Sequence, residues 1–149
     1  RTPMQWDASR YAGFTPADAA TEPWIGVNPN HVEINAAEEF DDPDSVYGFY
    51  KKLIAMRHNS ATIATGEWNL VAADSEQVYA FTRTNGDDTI LVVVNLTDES
   101  AGLPGEVAEL LGDGVAESQI LLSTYDAVHG VKSIARGELA RWEGVVIQL

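Results

Sequence analysis

The hydrophobic period of this chain changes from 3.6 to 2 across Thr65-Gly66, and that change limits the fold more than any other feature. Before it, Val46, Phe49, Tyr50, Leu53 and Ile54 fall at i, i+3, i+4, i+7 and i+8 and form one apolar stripe, while Lys51, Lys52 and Arg57 face away or lie near the negative end. Asp42-Pro43-Asp44-Ser45 is a start signal: Asp42 can cap, Pro43 suits the first helical position, and Asp44 meets the positive end of the helix dipole. The spacing predicts a helix from this signal to about His58, stopped by Asn59-Ser60. Beyond Gly66, Trp68, Leu70 and Ala72 alternate with Glu67, Asn69 and Val71; Val78, Ala80 and Thr82 alternate with Tyr79, Phe81 and Arg83. Thr84-Asn85-Gly86-Asp87-Asp88 reads as a hairpin turn, because Asn-Gly tolerates positive φ. Residues 90–96 are apolar on both faces, which predicts a central, covered strand, and further strands are expected at 120–123, 133–139 and 142–149. Short strands with frequent turn signals and no long helix between them predict a mainly β chain ending in an antiparallel β-sandwich.

Residues 1–34 show neither period. Pro3, Gly13, Pro16, Pro23, Gly26 and Pro29 punctuate them, and Trp6, Tyr11, Phe14, Trp24 and Ile25 are interspersed. A loop of this length is uncommon and is usually functional or draped over another domain, and its aromatics need a surface to pack on. Asn35-Ala36-Ala37-Glu38 has the form of a capping box, with one or two helical turns expected after it. The chain divides near residue 60. At 149 residues it can bury a core without disulfides, but it is short of the roughly 250 residues of a (β/α)8 barrel, so any barrel here is incomplete. Its opening, Arg1-Thr2-Pro3-Met4-Gln5-Trp6-Asp7, has no initiator methionine and no signal-peptide layout, and reads as the start of an excised or processed segment.

Nine Lys+Arg against 23 Asp+Glu give a formal charge of -14, which argues against nucleic acid or an anionic membrane as a partner. The absence of cysteine removes thiolate nucleophiles, disulfides and Cys-based metal sites, and three scattered histidines add no metal motif. No apolar run approaches the ~18 residues of a spanning helix, and the expected location is the cytoplasm. The run Glu38-Glu39-Phe40-Asp41-Asp42 reads as a solvated acidic face at a helix start. His58 is explained by the helix dipole, His31 and His129 fall in expected loops, and the sequon Asn95-Leu96-Thr97 directly follows a buried strand. Trp68 and Trp142 fit core faces of strands. Trp24 is either a sugar-stacking platform or a side chain that packs against another domain.

Six blocks in order carry a resemblance: Arg1-Thr2-Pro3-Met4-Gln5-Trp6, Ala12-Gly13-Phe14, Pro23-Trp24-Ile25, Val27-Asn28-Pro29-Asn30, Glu33-Ile34-Asn35, and Tyr50-Lys51-Lys52-Leu53-Ile54 with Arg57. Over them the chain resembles the C-terminal part of oligo-1,6-glucosidases and related α-glucosidases of glycoside hydrolase family thirteen. Residues 78–83 and 91–96 and Tyr125-Asp126 match that family's C-terminal β domain more loosely. The resemblance implies a parent with a catalytic (β/α)8 barrel and an appended antiparallel sandwich. Residues 1–60 would be the loop after the eighth barrel strand and the final helix of a truncated barrel, and residues 61–149 the β domain. It implies retaining hydrolysis of terminal α-glucosidic bonds, with all three catalytic carboxylates upstream of this chain and no cofactor. Arg1 is then either a contact to the sugar pocket or a structural ion-pair residue. The expected partners are the upstream barrel of the parent and its oligosaccharide. Trehalose synthases share the opening block, and sucrose isomerases and dextran glucosidases are close relatives. A free-standing carbohydrate-binding or interaction module is the rival, although the β half shows few aromatics outside its expected core faces. With the barrel strands missing, the helix stripe is expected to pack on the β domain, on residues 1–34, or on a second copy, self-association being the preferred outcome.

Overall fold

Helix gives way to strand where the period changes. In the computed structural model, which describes residues 1–149, a 3-10 turn (Pro29–Val32) leads to α1 (Ala36–Phe40), α2 (Val46–Asn59) and α3 (Ala61–Thr65), and β1 (Glu67–Val71) follows after the single residue Gly66. A Cβ on Gly66 would press on the carbonyl oxygen of Thr62 and sit 2.9 Å from that of Thr84, so only glycine fits this close backbone passage. The chain forms two compact units, Arg1–Ile54 and Ala55–Leu149. No helix is long and apolar enough to cross a membrane.

In the first unit, Asn35 caps α1 as expected, its Oδ1 accepting from Glu38 N at 3.1 Å. The start of α2 differs from the sequence expectation. Asp42 closes a local turn instead, its Oδ1 accepting from Asp44 N at 2.9 Å. Ser45 caps the helix: its Oγ accepts from Gly48 N at 3.0 Å and its carbonyl from Phe49 N at 2.9 Å. The reason is a backbone approach, since a Cβ on Gly48 would meet the carbonyl oxygens of Asp42 and Pro43 at 2.6 and 2.8 Å. The turn before α2 folds onto its first turn and cannot itself be helical. The stripe on α2 is not buried within the chain: Val46 is 68% exposed, Tyr50 and Ile54 are exposed, and Phe49 and Leu53 are half-buried.

The second unit continues with β2 (Val78–Asn85), β3 (Asp88–Asn95), β4 (Ala101–Gly102), α4 (Gly105–Leu111), β5 (Ile120–Ser123), α5 (Ala127–Arg136), β6 (Glu138–Leu139) and β7 (Gly144–Gln148). β1-β2-β3-β7-β5 form one antiparallel sheet, and β4 pairs antiparallel with β6. The hairpin between β2 and β3 is the expected one, with Gly86 at φ 62° and Asn85 opposite Asp88. The core gathers one face of the large sheet (Val78, Ala80, Leu91, Val93, Val145, Ile147) with Val107 and Leu111 of α4, Ile134 of α5 and Leu139 of β6. The layer opposite the large sheet is therefore made of two helices and a two-stranded ribbon, where the sequence reading expected a second full sheet.

Further expectations are corrected. Residues 133–139 are the end of α5 and then β6: Asp126 Oδ1 accepts from His129 N at 2.7 Å to start the helix, and Gly137 at φ 70° ends it. His129 thus lies in the first turn of α5, not in a loop. Trp142 stands in the turn before β7 at φ 54° and is exposed. Trp68 is exposed as well, because register decides its face. Val71 lies opposite Ala80, which faces the core, while Leu70 lies opposite Phe81 and Trp68 opposite Arg83, which point the other way. β3 is central as expected, and its second face is covered in part: Leu91 and Val93 are fully buried on the core face, and on the other face Ile90 is buried while Val92 and Val94 are half-buried.

Candidate functional site

The blocks that carry the resemblance in the first unit are drawn together by side-chain amides. Gln5 Nε2 donates to Asn30 Oδ1 at 3.1 Å and to the carbonyl of Ile34, across 25 and 29 residues of chain. The backbone of the same stretch accepts from α1, Ala36 N donating to Gln5 O at 2.9 Å and Ala37 N to Trp6 O at 3.0 Å. Asn35 is buried and satisfied at both ends, its Nδ2 donating to His31 O at 2.9 Å while Oδ1 caps α1. Asn28 begins the 3-10 turn by accepting from Asn30 N. Sequence reasoning did not assign Gln5, Asn30 or Asn35 this organising role, and local patterning carries no signal for partners so far apart. Their membership in the quoted blocks was the available hint.

A second turn holds the chain after the opening block. Ala12 and Gly13 take positive φ of 54° and 63°, and Trp6 N donates to Ala12 O at 2.8 Å. A Cβ on Gly13 would meet Asp7 Oδ2 at 2.7 Å. Hydrogen bonds from Ser9, first from its side chain and then from its backbone N–H at 2.8 Å, hold the Asp7 carboxyl below the usual aspartate range, and nearby His31 adds to the effect. By linkage, the contribution of Asp7 is full above the ordinary aspartate pKa and is lost as pH falls through its lowered folded value.

Between these segments lies a cleft of about 330 Å³ whose lining includes Thr2, Met4, Gln5, Ile34, Glu39 and Tyr47. Arg1, the site residue named from sequence, is exposed beside Thr2. It takes part in neither ion pair of the chain, which are Arg10–Glu22 at 3.5 Å and His129–Glu143 at 3.7 Å. Trp24 is 93% exposed and packs on nothing. The acidic run is a solvated helix start, as read: Glu38, Asp41 and Asp42 are exposed, and Glu39 Oε2 accepts from Tyr47 N at 3.1 Å. His31 Nδ1 lies 2.9 Å from Asn28 O, and His58 sits in the last turn of α2. No group of three or more His, Asp or Glu side chains is placed to hold a metal ion. The arrangement is a braced, open loop with one free cation at its edge.

Residues 1–66 match the family described as Alpha amylase, catalytic domain, and residues 69–117 match Maltogenic Amylase, C-terminal domain. The chain is 36% identical over 151 aligned residues to oligo-1,6-glucosidases of Bacillus cereus and Parageobacillus thermoglucosidasius, covering 100% of this chain and 25% of each relative. It is 36% identical over 133 residues to a glucan 1,6-alpha-glucosidase of Streptococcus pneumoniae, covering 85% of this chain and 24% of that protein. Among solved structures, the trehalulose synthase MutB of Pseudomonas mesoacidophila MX-45 superposes with a TM-score of 0.78 at 36% identity, over 99% of this chain and 25% of MutB. The chain thus spans about a quarter of the length of the relatives it matches.

Proposed function

Because the chain belongs to the α-amylase family, we propose that it is the C-terminal part of an α-glucosidase that hydrolyses terminal α-glucosidic bonds, 1,6 or 1,4, of short oligosaccharides. The observation that carries this reading is the 36% identity to oligo-1,6-glucosidases along the whole chain. In this reading residues 1–60 are the loop after the last barrel strand and the final barrel helix, and residues 61–149 are the appended β domain. The match to the catalytic domain, which ends at residue 66, and the switch from helix to strand at Gly66 support that division. The reaction is retaining: one carboxyl group attacks the anomeric carbon to form a glucosyl-enzyme, and a second protonates the leaving oxygen and then activates water. Both groups belong to the upstream part of the parent, as does the third, stabilising carboxylate. This chain contributes scaffold and one wall of the pocket. The stripe on α2 would face the remaining barrel, and in the isolated chain it would favour self-association.

Arg1 is the residue of this chain assigned to the sugar. It is exposed and makes no ion pair within these 149 residues, and a structural ion pair with the rest of the parent is the alternative role. A charge-assisted hydrogen bond to a sugar hydroxyl contributes about 1.5–3 kcal/mol, so Arg1→Ala in the full-length parent is expected to lower kcat/KM on isomaltose or maltose by about 10- to 100-fold. The melting temperature should not move. Unchanged kcat/KM would contradict the role.

A second reading has a specific observation behind it, the similarity to a trehalulose synthase. In an isomerase of this type the glucosyl group taken from sucrose returns to fructose in place of water. Product analysis of the parent on sucrose separates the two, free glucose and fructose marking hydrolysis and isomeric disaccharides marking transfer. A stand-alone sugar-binding module is disfavoured by ring geometry. The exposed face of the large sheet does carry aromatics, contrary to the sequence expectation, but Trp68 and Tyr79 are tilted by 36° and 49° to Phe81 and form no flat platform.

A further inference from the structure

The tip of the hairpin between β2 and β3 holds the chain's one Asn-Gly step, Asn85-Gly86, next to a carboxylate that joins three elements. Asp88 Oδ2 accepts from Thr62 Oγ1 of α3, and Asp88 Oδ1 accepts from Gln148 Nε2 of β7 at 2.7 Å. Thr62 is 3% exposed and its hydroxyl has no other partner, so loss of this bond would orphan a buried donor. The turn decides where Asp88 stands, because Asn85 and Asp88 are the last pair of the ladder and only Gly86 and Asp87 lie between them. Asn85 and Gly86 are exposed, Gly86 takes φ 62°, and its N–H donates to no carbonyl. No atom lies within 4 Å of the position a Cβ would take at Gly86. Glycine also removes the Cβ that, in any other residue, crowds an approach to the backbone nitrogen. Every other asparagine of the chain precedes a residue that carries a Cβ.

We propose that Asn85-Gly86 is a self-modification site, at which the backbone nitrogen of Gly86 attacks Cγ of the Asn85 side chain. The bond from Gly86 N to Cγ forms, the Cγ–Nδ2 bond breaks, and the proton of the attacking nitrogen leaves with ammonia, closing a succinimide ring. Water then opens the ring, with no change of oxidation state. Addition at Cγ gives aspartate; addition at the main-chain carbonyl gives isoaspartate, in which the backbone runs through the former side chain and is longer by a methylene. Asn85 is extended in β2, so the ring closes when the end pair of the ladder opens, and strand ends are where such opening costs least. Either product adds a negative charge beside Asp87 and Asp88 in a chain of net charge -14. Isoaspartate also lengthens the turn, shifts Asp88 from its register, and withdraws the acceptor of the Thr62 hydroxyl. The modification thus loosens the attachment of α3 and of β7 to the hairpin.

Prolonged incubation of the folded 149-residue chain at mildly alkaline pH, followed by charge separation and peptide mapping, tests this. More acidic species should accumulate, with the change at Asn85 and at no other asparagine, and part of the product should accept methyl groups from an isoaspartate-specific carboxyl methyltransferase. Asn85→Gln should form none of these species. The isolated isoaspartyl chain should melt about 4 °C below the unmodified one, the shift expected when a buried hydroxyl loses its acceptor in a chain of this size. Asn85→Asp carries the added charge on a backbone of ordinary length, and should melt closer to the unmodified chain. An Asn85 that stays intact in the folded chain while a urea-unfolded control is modified there would overturn the proposal, since the turn would then protect the step. An isoaspartyl chain that melts together with the unmodified one would overturn the link to Asp88.

Discussion

Replacing Leu91 by alanine is expected to cost the chain about 3–4 kcal/mol of stability, the range for removing a fully buried leucine whose surroundings cannot close up. Leu91 lies on the central strand of the large sheet, fully buried, and belongs to a core shared with Val107 of α4 and Leu139 of β6. Strands flank β3 on both sides and two helices and a ribbon lie opposite, so collapse into the space is restricted. A domain of ordinary stability has only about 5–15 kcal/mol to lose. Its neighbour Val92 points to the half-buried outer face, and Val92→Ala in the isolated chain should cost about 1 kcal/mol or less. Urea unfolding of the two variants checks both values. Equal losses, or a larger loss at Val92, would contradict this assignment of the two faces.

The second large effect concerns a polar residue. Asn95 is fully buried at the end of β3, and every group of its amide is used: Nδ2 donates to Glu99 O at 2.7 Å and Ala140 O at 2.8 Å, while Oδ1 accepts from Thr97 N at 3.0 Å and Thr97 Oγ1 at 2.8 Å. It ties the segment after β3 to the turn before β7, where Glu143 O also accepts from Asn95 N at 2.8 Å. Asn95→Ala leaves several of these groups without a partner, and a loss of about 3 kcal/mol is expected from orphaned donors and acceptors. Asn95→Asp should be nearly as damaging, since a carboxylate cannot donate to the two carbonyls. A loss below about 1 kcal/mol by chemical denaturation would contradict this description.

The elements that sequence reasoning placed well are those whose signals are local. β2, β3, their Asn-Gly hairpin and β5 follow from alternation and turn chemistry within a few residues. The errors share a different cause. Asp42 has every property of a cap, but Ser45 takes the role because Gly48 lets the preceding turn press against the helix, and that approach is not written in the cap residues themselves. The last turn of α5, within the strand expected at 133–139, is helix, with Asp126 and Gly137 bracketing the whole of α5 as caps. Its interior Gly130 weakens the helical signal, and its reason for being there is tertiary, since a Cβ would touch Val145 of β7 at 3.4 Å. Trp68 fits a core face in sequence because alternation fixes two faces without saying which is inside, and pairing with β2 decides that. For the candidate site, sequence supplied the blocks and Arg1, while the bracing by Gln5 and Asn35 became visible only with the loop folded. The apolar character of β3 on both faces was legible. What it signified, an outer face buried at Ile90 and half-exposed at Val92 and Val94, required the burial of each side chain.

The central claim is that this chain is a non-catalytic part of a glycosidase whose reacting carboxylates lie elsewhere in the parent. The most direct measurement is glucose release from isomaltose and maltose by the 149-residue chain, beside the full-length parent at equal molarity and a heat-killed control. The parent is expected to release glucose, and the chain none above the control, because surface carboxylates without a facing partner do not replace a positioned acid and nucleophile. Glucose release by the chain alone, in proportion to its concentration, would contradict the claim, as would a parent inactive on both sugars.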